Sequence, residues 1–219
     1  MNMRVLFLAV FVFSMAAFAQ SLPIAPPAVA PEADGVYQLR YLANLAAGDS
    51  YVNLTNAGTL SGFDPAGRIC VNVYTFDPNE ELISCCACPV TPNGLNSLSA
   101  RNDLISNTLT AGVPTSITVK LLSSLPLPGN TCNASSPNAA NLVRGMRAWA
   151  TTLHLNTATA GSPPVAVGFQ LTETEFSKVE LSATELAKLT GFCAFIQANG
   201  SGFGLCKACR AGALGAEQK

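Results

Sequence analysis

Apolar and polar residues alternate along much of the chain between residues 35 and 171, the pattern typical of half-buried β-strands. Turn-forming residues interrupt this alternation about every ten residues. One example is Asp77-Pro78-Asn79-Glu80, which separates a strand at Ile69–Phe76 from an expected hairpin partner at 81–86. No helical pattern lies between successive strands, as an α/β enzyme fold would require. The pattern therefore predicts a mainly β fold, a β-sandwich of the immunoglobulin-like or a similar type, over 35–171.

Two stretches of this region carry more specific expectations. Residues 95–107 are irregular and indicate a short helical turn followed by a strand. The strand expected over 146–155 places Trp149, Thr151, Leu153 and Leu155 on one face. The single histidine, His154, shares the other face with Ala148, Ala150 and Thr152, and we expect that face to be the polar one.

The region 172–219 begins with a different pattern. Ser182-Ala-Thr-Glu185 is a capping box, in which the serine accepts the Glu185 amide and the glutamate reaches back. Four apolar residues then follow at helical spacing: Leu186, Leu189, Cys193 and Ile196. Asn199-Gly200 tolerates the positive φ of a helix end. These signals predict one C-terminal α-helix over 183–198, with Cys193 on its buried face, followed by a cysteine-rich tail that packs on the sandwich.

The first 34 residues indicate export. Residues 1–19 combine a positive start at Arg4, an apolar run and the small-x-small site Ala17-Phe18-Ala19, which together predict a signal peptide cleaved after Ala19. The apolar run is shorter than the roughly 20 residues of a membrane span, so we expect no stable membrane insertion after cleavage. Residues 20–34 are rich in Pro and Ala and form either a spacer or an arm that docks on a neighbour. The expected location is secreted, periplasmic or at the cell surface.

The low charge of the chain limits the classes of partner that it is expected to bind. Only 11% of the residues are charged and the net charge is −1, so a basic footprint for nucleic acid or acidic lipid is missing. The remaining expectation is an unidentified protein or a surface polymer.

The eight cysteines are the most informative residues: Cys70, Cys85, Cys86, Cys88, Cys132, Cys193, Cys206 and Cys209. An even number in an exported chain predicts disulfides, although eight cysteines allow 105 complete pairings. Adjacent strand residues Cys85 and Cys86 point to opposite faces and need different partners. Cys88 falls near Cys70 across the hairpin, which suggests a cross-strand bond. The tail buries little surface, so we also expect Cys85, Cys86 or Cys88 to lie close to Cys206 or Cys209.

A metal site is the alternative reading of the two cysteine clusters. Cys86, Cys88, Cys206 and Cys209 offer four thiolates, the ligand set of a structural zinc site. The export signal favours disulfides over metal. A c-type haem is disfavoured because Arg210 replaces the histidine of CxxCH. The CxxC also follows a helix rather than beginning one, which disfavours thioredoxin-like chemistry. We therefore expect no cofactor.

No catalytic residue is predicted. Gly48-Asp49-Ser50 resembles the nucleophile block of the GDSL-type hydrolases, but the Asp-x-x-His of that family would need an aspartate where this chain has Thr151, three residues before His154. A turn before a strand explains the block better. His154 lacks an identifiable nucleophile or orienting carboxylate, and a surface position is its expected role.

Three segments carry a wider resemblance: NLTNAG from Asn53, ICVNVYTFDPNEELISCCACPVTP from Ile69, and FIQANGSGFGLCKACRAGALG from Phe195. In them the chain resembles a set of uncharacterised exported proteins of environmental bacteria over most of its mature length. The resemblance implies secretion and a shared cysteine framework, and no activity or ligand. Two function classes follow: a non-enzymatic surface, matrix or envelope component that binds or assembles, or an exported enzyme or metal-binding protein that uses residues 85–88 and 206–209.

Overall fold

A computed structural model of the protein describes residues 35–158 and 165–209. The expected signal peptide at 1–19 and the Pro/Ala-rich segment at 20–34 lie outside the described residues. Within them, the chain forms strands β1 (Tyr37–Leu42), β2 (Tyr51–Asn56), β3 (Ile69–Phe76), β4 (Leu82–Val90), β5 (Leu95–Ser99), β6 (Ile117–Ser124), β7 (Met146–Ala158), β8 (Val165–Glu175) and β9 (Ser177–Lys178), and helix α1 (Ala183–Asn199).

The strands make two antiparallel sheets that enclose one core. A five-stranded sheet has the order β4-β3-β6-β1-β9, and a four-stranded sheet has the order β5-β2-β7-β8. Their inner faces share a cluster of fully buried apolar residues, including Val52, Val71, Val119 and Ala150. The mainly β, sandwich-like architecture expected from the alternation is therefore confirmed.

Helix α1 adds a third layer on the outer face of the five-stranded sheet. The predicted stripe of Leu186, Leu189, Cys193 and Ile196 is the buried set of the helix, and it packs with Tyr74 in a second apolar cluster. All eight residues of β3 are buried because the strand lies in mid-sheet with the core on one face and this cluster on the other. No helix among the described residues is long and apolar enough to cross a membrane.

The helix begins and ends where the sequence indicates, but one half of the capping box is wrong. The Ser182 hydroxyl accepts the Glu185 amide at 3.1 Å, and Gly200 ends the helix at φ +67°. The Glu185 carboxylate turns toward the sheet instead of reaching back. It accepts from Lys120 Nζ at 2.6 Å and from the Tyr37 hydroxyl at 3.4 Å. Burial, with the negative charge of Glu185 beside it, raises the pKa of Tyr37 above its ordinary value.

Two local expectations are corrected. Residues 95–107 form a strand first, β5, and then a single π-helical turn at Ala100–Leu104, the reverse of the expected order. The face of β7 that holds Ala148, Ala150 and Thr152 is buried in the core, whereas Trp149 and Thr151 are half-buried on the outside. Ala148 and Ala150 belong to the core cluster shared with the five-stranded sheet, so this face is the inner one and Trp149 is left on the outer face.

Candidate functional site

The eight cysteines form four disulfides: Cys70–Cys132, Cys85–Cys193, Cys86–Cys206 and Cys88–Cys209. Cys85 and Cys86 do take different partners on opposite faces of β4. The expected Cys70–Cys88 bond is wrong. Cys88 pairs in register with Val71, and Cys70 with Pro89, so the two cysteines point to opposite faces of the sheet.

The covalent tie between the hairpin and the tail is confirmed. Two of the disulfides join β4 to the segment that follows α1, across sequence separations of 120 and 121 residues. The backbone adds to this tie, because the Cys85 amide donates to the Gly204 carbonyl at 2.9 Å and the Cys206 amide to the Cys85 carbonyl at 3.3 Å. The tail therefore covers part of the outer edge of β4 as a short parallel bridge.

The four cysteines of the metal alternative lie side by side as these two disulfides. Across the pairs, Cys86 Sγ and Cys209 Sγ are 3.9 Å apart. Cys88 is fully buried, whereas Cys86, Cys206 and Cys209 are partly exposed at the edge of the main core. All four are oxidised, and among the described residues no group of three or more His, Cys, Asp or Glu side chains is arranged to hold a metal ion.

The Gly48-Asp49-Ser50 block has a structural explanation. A Cβ at Gly48 would collide with Leu153 Cδ2, so glycine permits the loop to approach β7. Asp49 Oδ1 accepts the amides of Ser50 and Arg101, at 2.8 and 2.9 Å. The Ser50 hydroxyl is buried, and no hydrogen-bond partner is found for it among the described residues. A buried hydroxyl of this kind cannot meet a substrate.

His154 is exposed, as expected, although it lies on the face of β7 that is otherwise buried. Its Nε2 is 2.8 Å from the Thr172 hydroxyl of β8. The hairpin of β7 and β8 carries this pair away from the core, which leaves His154 at the surface.

The outer face of the four-stranded sheet carries a feature that the sequence reading missed. One row of polar side chains crosses all four strands through hydrogen bonds. The Ser97 hydroxyl donates to Asn53 Oδ1 at 2.7 Å, and Asn53 Nδ2 donates to the Thr151 hydroxyl at 3.1 Å. The Thr151 hydroxyl in turn donates to Glu173 Oε1 at 3.3 Å. We call Ser97, Asn53, Thr151 and Glu173 the polar row.

Aromatic side chains border the polar row. Tyr51, 43% exposed, is in register with Thr151, and Trp149 is in register with Asn53, so the two rings are diagonal neighbours on one face. A cleft of about 250 Å³ opens beside Trp149 and is lined by charged groups of both signs, including Arg147, Glu173, Glu175 and Lys178. In the sequence, the only sign of this face is the period-2 spacing of Tyr51 with Asn53 and of Trp149 with Thr151. The pairing of the strands, which the sequence does not give, is needed to place these residues side by side.

Comparisons with protein-family models, with curated proteins and with solved structures find no match. The structure itself shows a mainly β protein stabilised by four disulfides, of the kind that oxidising compartments outside the cytoplasm maintain.

Proposed function

We propose that the protein is an exported, non-enzymatic binding component of a cell surface, matrix or envelope, and that its partner is a hydroxyl-rich surface polymer held on the outer face of the four-stranded sheet. The combination of the polar row with Tyr51, Trp149 and the cleft beside them carries this proposal. The disulfides, the export signal and the resemblance to exported bacterial proteins support the compartment.

The chemistry of the face suits repeated sugar units. An aromatic ring packs against the C–H surface of a sugar while hydroxyl, amide and carboxylate groups bond to its hydroxyls. The polar row supplies all three of these groups, one strand apart from each other. Mixed charges around the cleft and a net charge of −1 favour a neutral polymer over a strongly charged one.

The size of the cleft favours a polymer over a small molecule. Pockets for drug-sized ligands usually measure about 300–1,000 Å³ and enclose most of the ligand. The cleft is about 250 Å³, and it shares Trp149 and Glu173 with the outer face of the sheet. It therefore suits one unit of a chain whose neighbouring units lie along the polar row.

Co-sedimentation with insoluble cellulose, chitin and peptidoglycan tests the proposal. The mature, disulfide-bonded protein should be retained by at least one of these polymers. Glu173→Gln and Tyr51→Ala should each weaken retention about tenfold, the loss expected for one or two hydrogen bonds or a ring contact. Tyr41→Ala is the matched control, because Tyr41 is 58% exposed but lies on the other sheet.

Retention by none of the polymers would contradict the proposal, as would equal losses in the Tyr41 control.

Self-association is a distinct outcome of the same samples. Phe169 and Leu171 are 64% and 65% exposed on the edge strand β8. A dimer in sedimentation velocity that dissociates on Phe169→Ser, together with no polymer retention, would replace polymer binding by assembly.

A further inference from the structure

The two disulfides that hold the tail are close enough to react with each other. Cys86–Cys206 and Cys88–Cys209 leave β4 from the same face, because Cys86 and Cys88 are two residues apart on one strand. Cys86 Sγ lies 3.9 Å from Cys209 Sγ, the partner of the other pair. Disulfides rearrange when a thiolate attacks a disulfide sulfur that it can reach. A thiolate at either of these two positions has such a sulfur beside it.

We propose that this four-cysteine cluster is a thiol–disulfide exchange site for a dithiol, and that two-electron reduction converts it to a single Cys86–Cys209 disulfide with Cys88 and Cys206 as free thiols. The proposal is independent of the polymer-binding face.

One dithiol molecule supplies the two electrons and the two hydrogen atoms that the exchange requires. Its first thiolate attacks Cys206 Sγ, forms a mixed disulfide there and releases the Cys86 thiolate. The Cys86 thiolate attacks Cys209 Sγ, forms the Cys86–Cys209 bond and releases Cys88, which takes up a proton. The second thiol of the reductant then attacks the reductant sulfur of the mixed disulfide. The reductant leaves as a cyclic or intramolecular disulfide, and Cys206 is freed as a thiol. Two electrons enter the protein and one reductant disulfide is formed.

The solvent exposure of the four sulfurs determines which of them the dithiol attacks. Cys88 is fully buried, so attack falls on the partly exposed sulfurs of Cys86, Cys206 or Cys209. If the dithiol attacks Cys209 first, Cys88 is released as a thiol. The second thiol of the reductant then displaces Cys209 as a thiolate. That thiolate attacks Cys86 at the same 3.9 Å contact and releases Cys206. Both of these routes therefore give the same product.

The product keeps the tail attached. One covalent bond between β4 and the tail remains after the first two electrons, and the backbone bridge between Cys85 and the tail continues to cover the edge of β4. Only a second reduction would release the tail from β4.

Limited reduction of the mature wild-type protein tests the proposal directly. Substoichiometric dithiothreitol serves as the dithiol, followed by acid quenching, alkylation and peptide mapping. The two-electron product should contain a Cys86–Cys209 peptide pair with Cys88 and Cys206 alkylated, while Cys70–Cys132 stays intact. A product that retains only Cys86–Cys206 or only Cys88–Cys209 would overturn the proposal.

A matched pair of variants tests it without any reductant. Cys88→Ser leaves Cys209 as a thiol beside Cys86, so the purified protein should contain both Cys86–Cys206 and Cys86–Cys209 pairings. Cys70→Ser leaves Cys132 as a thiol away from the cluster, and its other three disulfides should remain as in the wild type. An unrearranged Cys88→Ser protein, or equal scrambling in Cys70→Ser, would show that the 3.9 Å contact does not direct exchange.

Discussion

Asp49 shows how a residue that looks catalytic in a sequence can be structural. Its two carboxylate oxygens accept from the amides of Ser50 and Arg101 and from the Ser99 hydroxyl, which fixes the π-helical turn against the start of β2. The neighbouring Ser50 hydroxyl has no such role and is buried without a described partner. The two adjacent residues should therefore respond differently to mutation.

We expect Asp49→Ala to lower the free energy of unfolding by about 1–3 kcal/mol, because it leaves partly buried donors without an acceptor. Ser50→Ala should change it by less than about 1 kcal/mol, or raise it, because it removes a buried hydroxyl that has no partner. Urea unfolding followed by circular dichroism measures both. An equal loss in the two variants would contradict this division of roles.

Turn chemistry alone predicted that the Gly48 block is structural, but it could not identify what the block holds. The partners of Asp49 on the π-helical turn lie about fifty positions later in the sequence, and Leu153 lies about a hundred positions after Gly48. Local sequence carries no signal for such contacts. The polar row was missed for the same reason, because each strand contributes only one of its members.

Helix α1 is the element that the sequence predicted most fully. Its N-cap serine, its apolar stripe and its glycine end are all local signals, and the structure confirms them within one residue; only the return contact of Glu185 fails. The stripe faces Tyr74 and Leu122 of the sheet, so the energy of docking should lie in the stripe and not in the exposed aromatic residues of the same helix.

Leu189→Ala should lower the free energy of unfolding by about 2–5 kcal/mol, because Leu189 is fully buried and its removal leaves a cavity. Phe195→Ala is the control on the same helix. Its side chain is 65% exposed, so the change should stay within about 0.5 kcal/mol. Denaturant unfolding of both variants provides the comparison, and a Leu189 variant as stable as the control would mean that the stripe does not dock.

Strands were predicted less fully than the helix because their faces depend on the partner strand. The bounds of β3 follow from its own sequence, whereas the pairing of Cys88 with Val71 depends on the irregular register between Thr75 and Phe76 near the turn. A shift of one residue reverses every side chain, which is how the Cys70–Cys88 expectation failed. The buried face of β7 likewise became clear only from the opposite sheet.

All four disulfides attach another part of the chain to the five-stranded sheet, at different places. Cys85–Cys193 ties α1 to β4, Cys70–Cys132 ties a loop to β3, and the remaining two disulfides hold the tail. The helix layer therefore depends on one disulfide and on its apolar stripe, while the sheets share the larger core between them. Trp149, the single tryptophan, lies on the four-stranded sheet and reports on that sheet separately from the helix.

In the wild-type protein, the loss of helical circular dichroism and the change in Trp149 fluorescence should coincide during denaturant unfolding, as for one cooperative unit. The double variant Cys85→Ala/Cys193→Ala should lose about 3 kcal/mol of stability by chain entropy, because the remaining Cys86–Cys206 bond shortens the loop that it opens to about 15 residues. Its helical signal should be lost before the tryptophan signal changes. The control Cys70→Ala/Cys132→Ala opens a loop of 62 residues that no other disulfide shortens, so it should lose about 4 kcal/mol. Its two signals should still coincide because α1 remains bonded to β4. Coincident signals in both double variants would show that the helix layer stays docked without the Cys85–Cys193 bond.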